Sequence, residues 1–177
     1  MKIEAIEISK SKKEALKYIL SKMPLMSKVS QFNTVISDIH IEYIEFKILN
    51  YEVISKEKTN KMFRHEIKKH YITMLVNTYN GYSESIDTIP NTTKRYVTKS
   101  YIKKGKIGED YIIEGVKNEI IYFLAKKSKN NLVDMVNLQN INIKEVKSIY
   151  KPYWVANFRG RNILLDAWMK NIKDIGE

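Results

Sequence analysis

The sequence predicts an α+β protein made of two pseudo-repeated units, each a helix packed on an antiparallel β-sheet. Three observations lead there. First, Ile39–Val53 (IHIEYIEFKILNYEV) superimposes on Ile141–Val155 (INIKEVKSIYKPYWV) at a constant offset, pairing Ile39 with Ile141, Ile41 with Ile143, Ile44 with Val146, Tyr51 with Tyr153 and Val53 with Val155. Self-similarity at a fixed spacing marks supersecondary units that bury little surface alone and more by packing together. Second, both stretches are rich in β-branched and aromatic residues, which suit a pleated, half-buried surface. Third, each follows a segment with helical spacing of its apolar residues.

The elements follow in order. Lys2–Ile8 is a short strand candidate. Ser11–Met23 reads as a helix: Ser11 and Glu14 fit a capping box, Leu16, Ile19, Leu20 and Met23 form an i, i+3, i+4, i+7 stripe, and Pro24 ends the pattern. After a linker, Asp38–Ile54 alternates Ile39, Ile41 and Tyr43, then Leu49, Tyr51 and Val53, on one face. Its middle, Ile44, Phe46 and Ile48, is apolar on the other parity, which predicts a bulge or burial on both faces. The spacing of Ile41, Ile44 and Ile48 leaves a helical alternative. The charged Ser55–His70 reads as a long hairpin excursion into a strand at His70–Tyr79, which ends on the turn signal Asn80-Gly81. A strand at Arg95–Ile102 closes a first unit spanning 1–104.

The second unit, 105–177, restarts after Gly105 with a helix at Gly108–Lys127, whose Ile113, Val116, Ile120 and Leu124 share a face with Phe123 beside them. Aligning Leu16, Ile19 and Leu20 with Ile120, Phe123 and Leu124 keeps helix before strand in both halves. A strand at Ile141–Phe158, a tight turn at Arg159-Gly160-Arg161-Asn162 and a strand at Ile163–Trp168 follow. Met74–Tyr79 (MLVNTY) matches Leu164–Trp168 (LLDAW) by residue class in its last five positions.

Helix, linker, a strand ending in Tyr-x-Val, a hairpin, and a strand ending like Val-Asp-Ala-x-x-Gly resembles the PepSY type of domain. The matching residues are Tyr51-Glu52-Val53 with Val76-Asn77-Thr78-Tyr79-Asn80-Gly81, and Tyr153-Trp154-Val155 with Leu165-Asp166-Ala167. The second copy has Lys170 and Asn171 where the closing glycine is expected. The resemblance implies peptidase modulation in an extracytoplasmic setting. The N-terminus, MKIEAIEISKS, departs from that setting, since it interrupts its apolar residues with charges and lacks the continuous core of a signal peptide. Apolar stretches such as Glu119–Ala125 fall far short of the roughly 18 residues that span a bilayer. The expectation is a cytoplasmic protein with no transmembrane segment.

The chain has no cysteine, which excludes disulfides, thiolate metal sites and a cysteine nucleophile. Its formal charge of +11 at pH 7 favours anionic partners such as nucleic acid or lipid. Lysine supplies almost all of it, the arginines being Arg64, Arg95, Arg159 and Arg161. Lysine is a hydrated point charge, poorer than arginine at bidentate reading of bases and phosphates.

Two segments are candidate binding sites. Lys61–His70 (KMFRHEIKKH) gathers Arg64, His65, Lys68 and Lys69 in the expected basic loop, where the plainer reading is a solvated charge run. His65 and His70 are five apart, whereas a zinc helix needs them four apart, so no metal is expected. Tyr150–Arg161 (YKPYWVANFRGR) interleaves Tyr153 and Trp154 with Lys151, Arg159 and Arg161. Aromatic faces beside cations suit single-stranded nucleic acid, and aromatic and arginine residues are enriched in protein-interface hot spots. Core filling competes with both, but Trp154, Arg159 and Arg161 are the members expected to be exposed. The carboxylates Glu42, Glu45, Glu52 and Asp166 are not placed by spacing against any histidine, and Gly105-Lys106-Ile107-Gly108 is not a phosphate loop. No catalytic residue or cofactor is expected. The sequence thus points first to non-catalytic binding of a protein partner, second to nucleic-acid binding, and third to the peptidase modulation implied by the PepSY-like resemblance.

Overall fold

The computed structural model describes residues 1–21, 39–58, 65–127, 141–158 and 161–168. In chain order these contain β1 (Lys2–Ile6), α1 (Lys12–Ser21), β2 (His40–Lys58), β3 (His65–Asn77), β4 (Ser83–Ser85), β5 (Thr92–Tyr96), a 3₁₀ turn (Lys99–Tyr101), β6 (Ile102–Lys103), α2 (Glu109–Lys127), β7 (Ile141–Phe158) and β8 (Arg161–Asp166). The protein is α+β, with two helices and one eight-stranded sheet among the described residues. The sheet order is β4-β3-β2-β7-β1-β5, with β6 paired to β2 and β8 to β7. It is mixed rather than antiparallel, because β1 runs parallel to β7 and β6 parallel to β2. Parallel neighbours need long crossovers, and both pairs join strands far apart in the chain.

Two compact units interleave along the sequence. One draws on Met1–Glu45, Pro90–Lys104 and Ile149–Glu177, the other on Phe46–Ile89 and Gly105–Ser148. Each unit therefore takes part of β2 and part of β7. The expected division at 104/105 coincides with one switch between units, but each unit combines segments from both sequence halves.

In the first unit α1 starts on the expected capping box. The Ser11 N–H and hydroxyl each donate to the Glu14 carboxylate at 2.7 Å, and the Glu14 N–H donates to Ser11 Oγ at 3.3 Å. The Ser11 side-chain bond, then its backbone bond, holds the Glu14 carboxyl below its ordinary value. The helix lays Ala15 and Ile19 on Trp154 and Ala156 of β7 and on Leu165 and Ala167 at the end of the hairpin. β1 pairs antiparallel with β5 from Lys2↔Tyr96 to Ile6↔Thr92, and its Ile3 and Ala5 pack on Tyr43.

In the second unit α2 buries Ile112, Val116 and Ile120, spaced i, i+4, i+8, against Leu49, Tyr51 and Val53 of β2 and Met74 and Val76 of β3. The expected face is off by a small rotation: Ile113 sits at its margin, and the side chains of Phe123 and Leu124 lie outside the described residues. Burying one such side chain contributes about 1.5–3 kcal/mol, so packing rather than helix propensity holds α2 in place. The Tyr51 hydroxyl donates to the Ile113 carbonyl at 3.2 Å. Burial, with the Glu114 charge adding to it, pushes that phenol up to about 12.

Each helix thus covers the other helix's expected hairpin. α1, which precedes β2, packs on the β7–β8 hairpin, and α2, which precedes β7, packs on the β2–β3 hairpin. Strand details agree with expectation in part: of the alternatives for the middle of β2, burial on both faces is the one observed. The β2–β3 register runs unbroken from Phe46↔Asn77 to Lys58↔His65. That span has no bulge, and Phe46 and Ile48 are buried alongside Leu49 and Tyr51 because both faces are covered. Most of the expected excursion at Ser55–His70 is ladder, since continuous cross-strand bonding overrides the charge of the side chains. The expected strand at Arg95–Ile102 starts earlier, at Thr92, and gives way to the 3₁₀ turn.

Two glycines fix the approach to α2. Gly81 closes the β3–β4 turn with φ +78°, a left-handed conformation suited to glycine. At Gly105 an added Cβ would lie 2.5 Å from Thr78 Cβ. That close approach lets the Thr78 carbonyl accept the N–H groups of Lys106 and Ile107 at 2.9 and 3.1 Å.

Candidate functional site

The β7–β8 hairpin brings three of the expected site residues together, but as core. Trp154 is 8% exposed, and its indole N–H donates to the Lys10 carbonyl at 2.9 Å. The expectation that Trp154 is exposed is therefore corrected. The cause is that β7 is covered on both faces here: Trp154 and Ala156 on one parity and Val155 and Lys151 on the other are all buried, so alternation turns neither set outward.

Lys151 is corrected in the same way. It is buried, with its ammonium 2.7 Å from Asp166 Oδ2 and over the rings of Trp168 and Tyr153 at 5.2 and 5.8 Å. Asp166 Oδ1 also accepts the Trp168 N–H at 2.9 Å. An ion pair this enclosed anchors the hairpin, and neither charge is offered to a ligand. Tyr153 is half-buried beside it. Arg159 lies outside the described residues, and Arg161 opens β8 opposite Phe158 with a side chain that is not among those described.

The basic segment around β3 is arranged differently. Arg64 lies outside the described residues. His65 and Lys68 are on β3, opposite Lys58 and Ser55, rather than in a loop, and their side chains are not among those described. Lys69 is exposed, with Nζ 3.2 Å from Glu52 Oε1, while Lys144 Nζ of β7 is 2.5 Å from Glu52 Oε2. The Lys144 bond, then the Lys69 bond, holds the Glu52 carboxyl below its ordinary value, and Glu52 in turn raises Lys144. Next to this cluster Thr73 Oγ1 donates to Asn50 Oδ1 at 2.9 Å, and Asn50 Nδ2 donates to Glu145 Oε2 at 2.8 Å. These bonds order the polar side chains of the face before any partner arrives.

On this ordered surface stand two large side chains, Ile67 at 65% and Tyr71 at 74% exposure. Strand alternation puts Ile67, Lys69 and Tyr71 on one side of β3, and Tyr71 is paired with Glu52 across the ladder. Sequence reasoning did not single out Ile67, Tyr71 or Lys144, and it named Glu52 only as a carboxylate with no placed partner. The signal was present: with Ile72 and Met74 facing the helix, the opposite parity of the same strand has to face away from it.

Among the described residues no group of three or more His, Asp or Glu side chains is placed to hold a metal ion, and no helix is long and apolar enough to cross a membrane. No family model matches the sequence, and neither a curated protein nor a solved structure is similar enough to match it.

Proposed function

We propose that the protein is a non-catalytic binding module whose target is another protein, engaged through the β3 face that carries Ile67, Lys69 and Tyr71. The observation behind this reading is the pairing of exposed Ile67 and Tyr71 with lysines already held by Glu52. Large aromatic and aliphatic side chains on a rigid strand are the anchors that dominate interface energies. Charges ordered in advance reduce the entropy lost on association.

Nucleic-acid binding is the second reading, favoured by the +11 charge. It ranks lower because Lys69, Lys144 and Lys151 each face a carboxylate and Trp154 is buried. Peptidase modulation through PepSY-like units is third. An ancestral duplication whose helices have exchanged hairpins accounts for that resemblance. Support comes from the matching roles of Ile39 and Ile41 beside α1 and of Ile141 and Ile143 beside α2. Against a strict repeat, the α-facing pairs Tyr51/Val53 and Trp154/Ala156 are one residue out of step.

The test is capture from nuclease-treated lysate with wild type, Tyr71→Ser and Tyr96→Ser. Tyr96, 84% exposed on β5, serves as the control. A protein retained by wild type and Tyr96→Ser but lost with Tyr71→Ser supports the reading. Retention that depends on nucleic acid, or is indifferent to Tyr71, refutes it.

A further inference from the structure

The sheet ends at β4, a three-residue strand whose outer side faces no strand among the described residues. β4 pairs with β3 at Val76↔Ser83, Leu75↔Glu84 and Met74↔Ser85. Bonds from the Asn77 N–H to the Tyr82 carbonyl and from the Ile86 N–H to the Thr73 carbonyl fix which residues bond inward. In an antiparallel ladder bonded and non-bonded pairs alternate, so positions 82, 84 and 86 bond to β3. The N–H and C=O of Ser83 and Ser85 then point outward from the sheet.

Beside this edge lies a cleft of about 420 Å³ in the same unit. Ile72, Met74 and Ile120 line it, and Glu119 of α2, hydrogen-bonded to Ser83 Oγ, stands at its rim with Tyr122. We infer that this edge and cleft bind an extended segment of a partner protein carrying lysine or arginine at alternate positions. The added strand bonds to Ser83 and Ser85, and one long basic side chain lays its methylene stem on Ile72 and Met74 and brings its charge to Glu119. Strand addition draws affinity from main-chain bonds and specificity from pockets for alternate side chains, and long cationic side chains divide themselves between apolar wall and polar rim in this way.

Charge decides against a second copy of the chain as occupant. Antiparallel pairing of two β4 strands about their centres would set Glu84 against Glu84, and like charges directly opposite are destabilising. A cationic strand instead brings its basic side chains, all on one face, to Glu119 on the α2 side of β4. Positive charges farther from the edge than the screening length, about 8 Å at physiological salt, oppose this little. The site is separate from the β3 face proposed above and survives if that reading fails.

The probe is a fluorescein-labelled ten-residue peptide of alternating Lys and Val, with a Glu/Val peptide as control, read by fluorescence anisotropy on the full chain. The Lys/Val peptide is expected to bind saturably and at least tenfold more weakly to Glu119→Lys and to Ser85→Pro. Tyr71→Ser should leave its affinity unchanged. A Lys/Val peptide N-methylated at alternate residues should also lose binding, a readout that does not depend on how any variant folds. The inference is overturned if the Lys/Val peptide does not bind, if the Glu/Val peptide binds equally, or if neither Glu119→Lys nor N-methylation weakens binding. It is also overturned if the protein dimerises in sedimentation through an interface that Ser85→Pro abolishes, which would make a second copy the occupant.

Discussion

The β7–β8 hairpin under α1 and the β2–β3 hairpin under α2 use similar residues for opposite purposes. The first draws its tryptophan, a lysine and an aspartate into the interior, where Trp154 bonds to Lys10 and Lys151 to Asp166. The second fills its helix-facing side with aliphatic residues and Tyr51, and leaves Ile67, Lys69 and Tyr71 in solvent on the other parity. An aromatic residue beside a cation therefore means core in one hairpin and surface in the other. What separates the two is whether the face turned away from the helix is covered: Lys151 and Val155 on that face of β7 are buried, whereas Ile67 and Tyr71 on that face of β3 are exposed.

The largest expected effect tests the interior side of this contrast. Asp166→Ala removes the carboxylate that the buried Lys151 ammonium meets at 2.7 Å, and removing one member of a buried pair costs about 3–5 kcal/mol. Urea denaturation should show that loss, and Lys151→Met combined with Asp166→Leu should recover most of it, because an apolar pair carries no desolvation cost. Little loss from Asp166→Ala would mean that the pair is solvated and the hairpin is not built as described. Next comes Gly105→Ala, which forces a Cβ into Thr78. Overpacking of this kind typically costs about 1–3 kcal/mol, and the loss should appear as a lower thermal midpoint.

A smaller loss, about 1 kcal/mol, is expected for Ser11→Ala because it removes the helix cap of α1. Helical circular dichroism and urea midpoints would register it. Smallest is Glu52→Gln: Glu52 is itself buried, but the lysines that meet it stand more than half in solvent, where ion pairs are weak and can rehydrate. The Glu52 carboxyl titrates below its ordinary 4.5. Its contribution is therefore present while pH is above that ordinary value and disappears as pH falls through the lowered one. Lys144 is raised above 10.5, so its share persists until pH exceeds that range. Thermal midpoints of wild type and Glu52→Gln should differ slightly at pH 7 and converge under acid. A gap that widens in acid would contradict the assigned ion pairs.

Local patterns were legible in the sequence where local bonds determine the structure. The Ser11–Glu14 box, the α1 stripe at Leu16, Ile19 and Leu20 and the Asn80-Gly81 turn all depend on neighbours a few residues away. Met23 and Pro24, expected to end that helix, lie outside the described residues. β4 left no pattern because Ser-Glu-Ser has little strand preference and pairs only because the turn returns it to β3. Helix-to-hairpin assignment was not legible, since Ala15 meeting Ala156 or Val116 meeting Val53 depends on contacts distant in the chain. Trp154 was misplaced for a narrower reason: alternation sets it on the face opposite Tyr153 and Val155, but Val155 and Trp154 are both buried because both faces of β7 are covered there. Lys151, between Tyr150 and Pro152, and Asp166, between Leu165 and Ala167, gave a faint hint, as charges with apolar or aromatic neighbours in sequence, and such charges are rarely buried unless paired.

The measurement closest to the central claim is the affinity of the captured protein for wild type, Tyr71→Ser and Tyr153→Ser, compared at equal fold stability. Binding at least tenfold weaker for Tyr71→Ser and nearly unchanged for Tyr153→Ser is the result predicted if the β3 face is the functional surface. The reverse order, with Tyr153→Ser losing the partner and Tyr71→Ser keeping it, would return function to the β7–β8 hairpin and contradict the account.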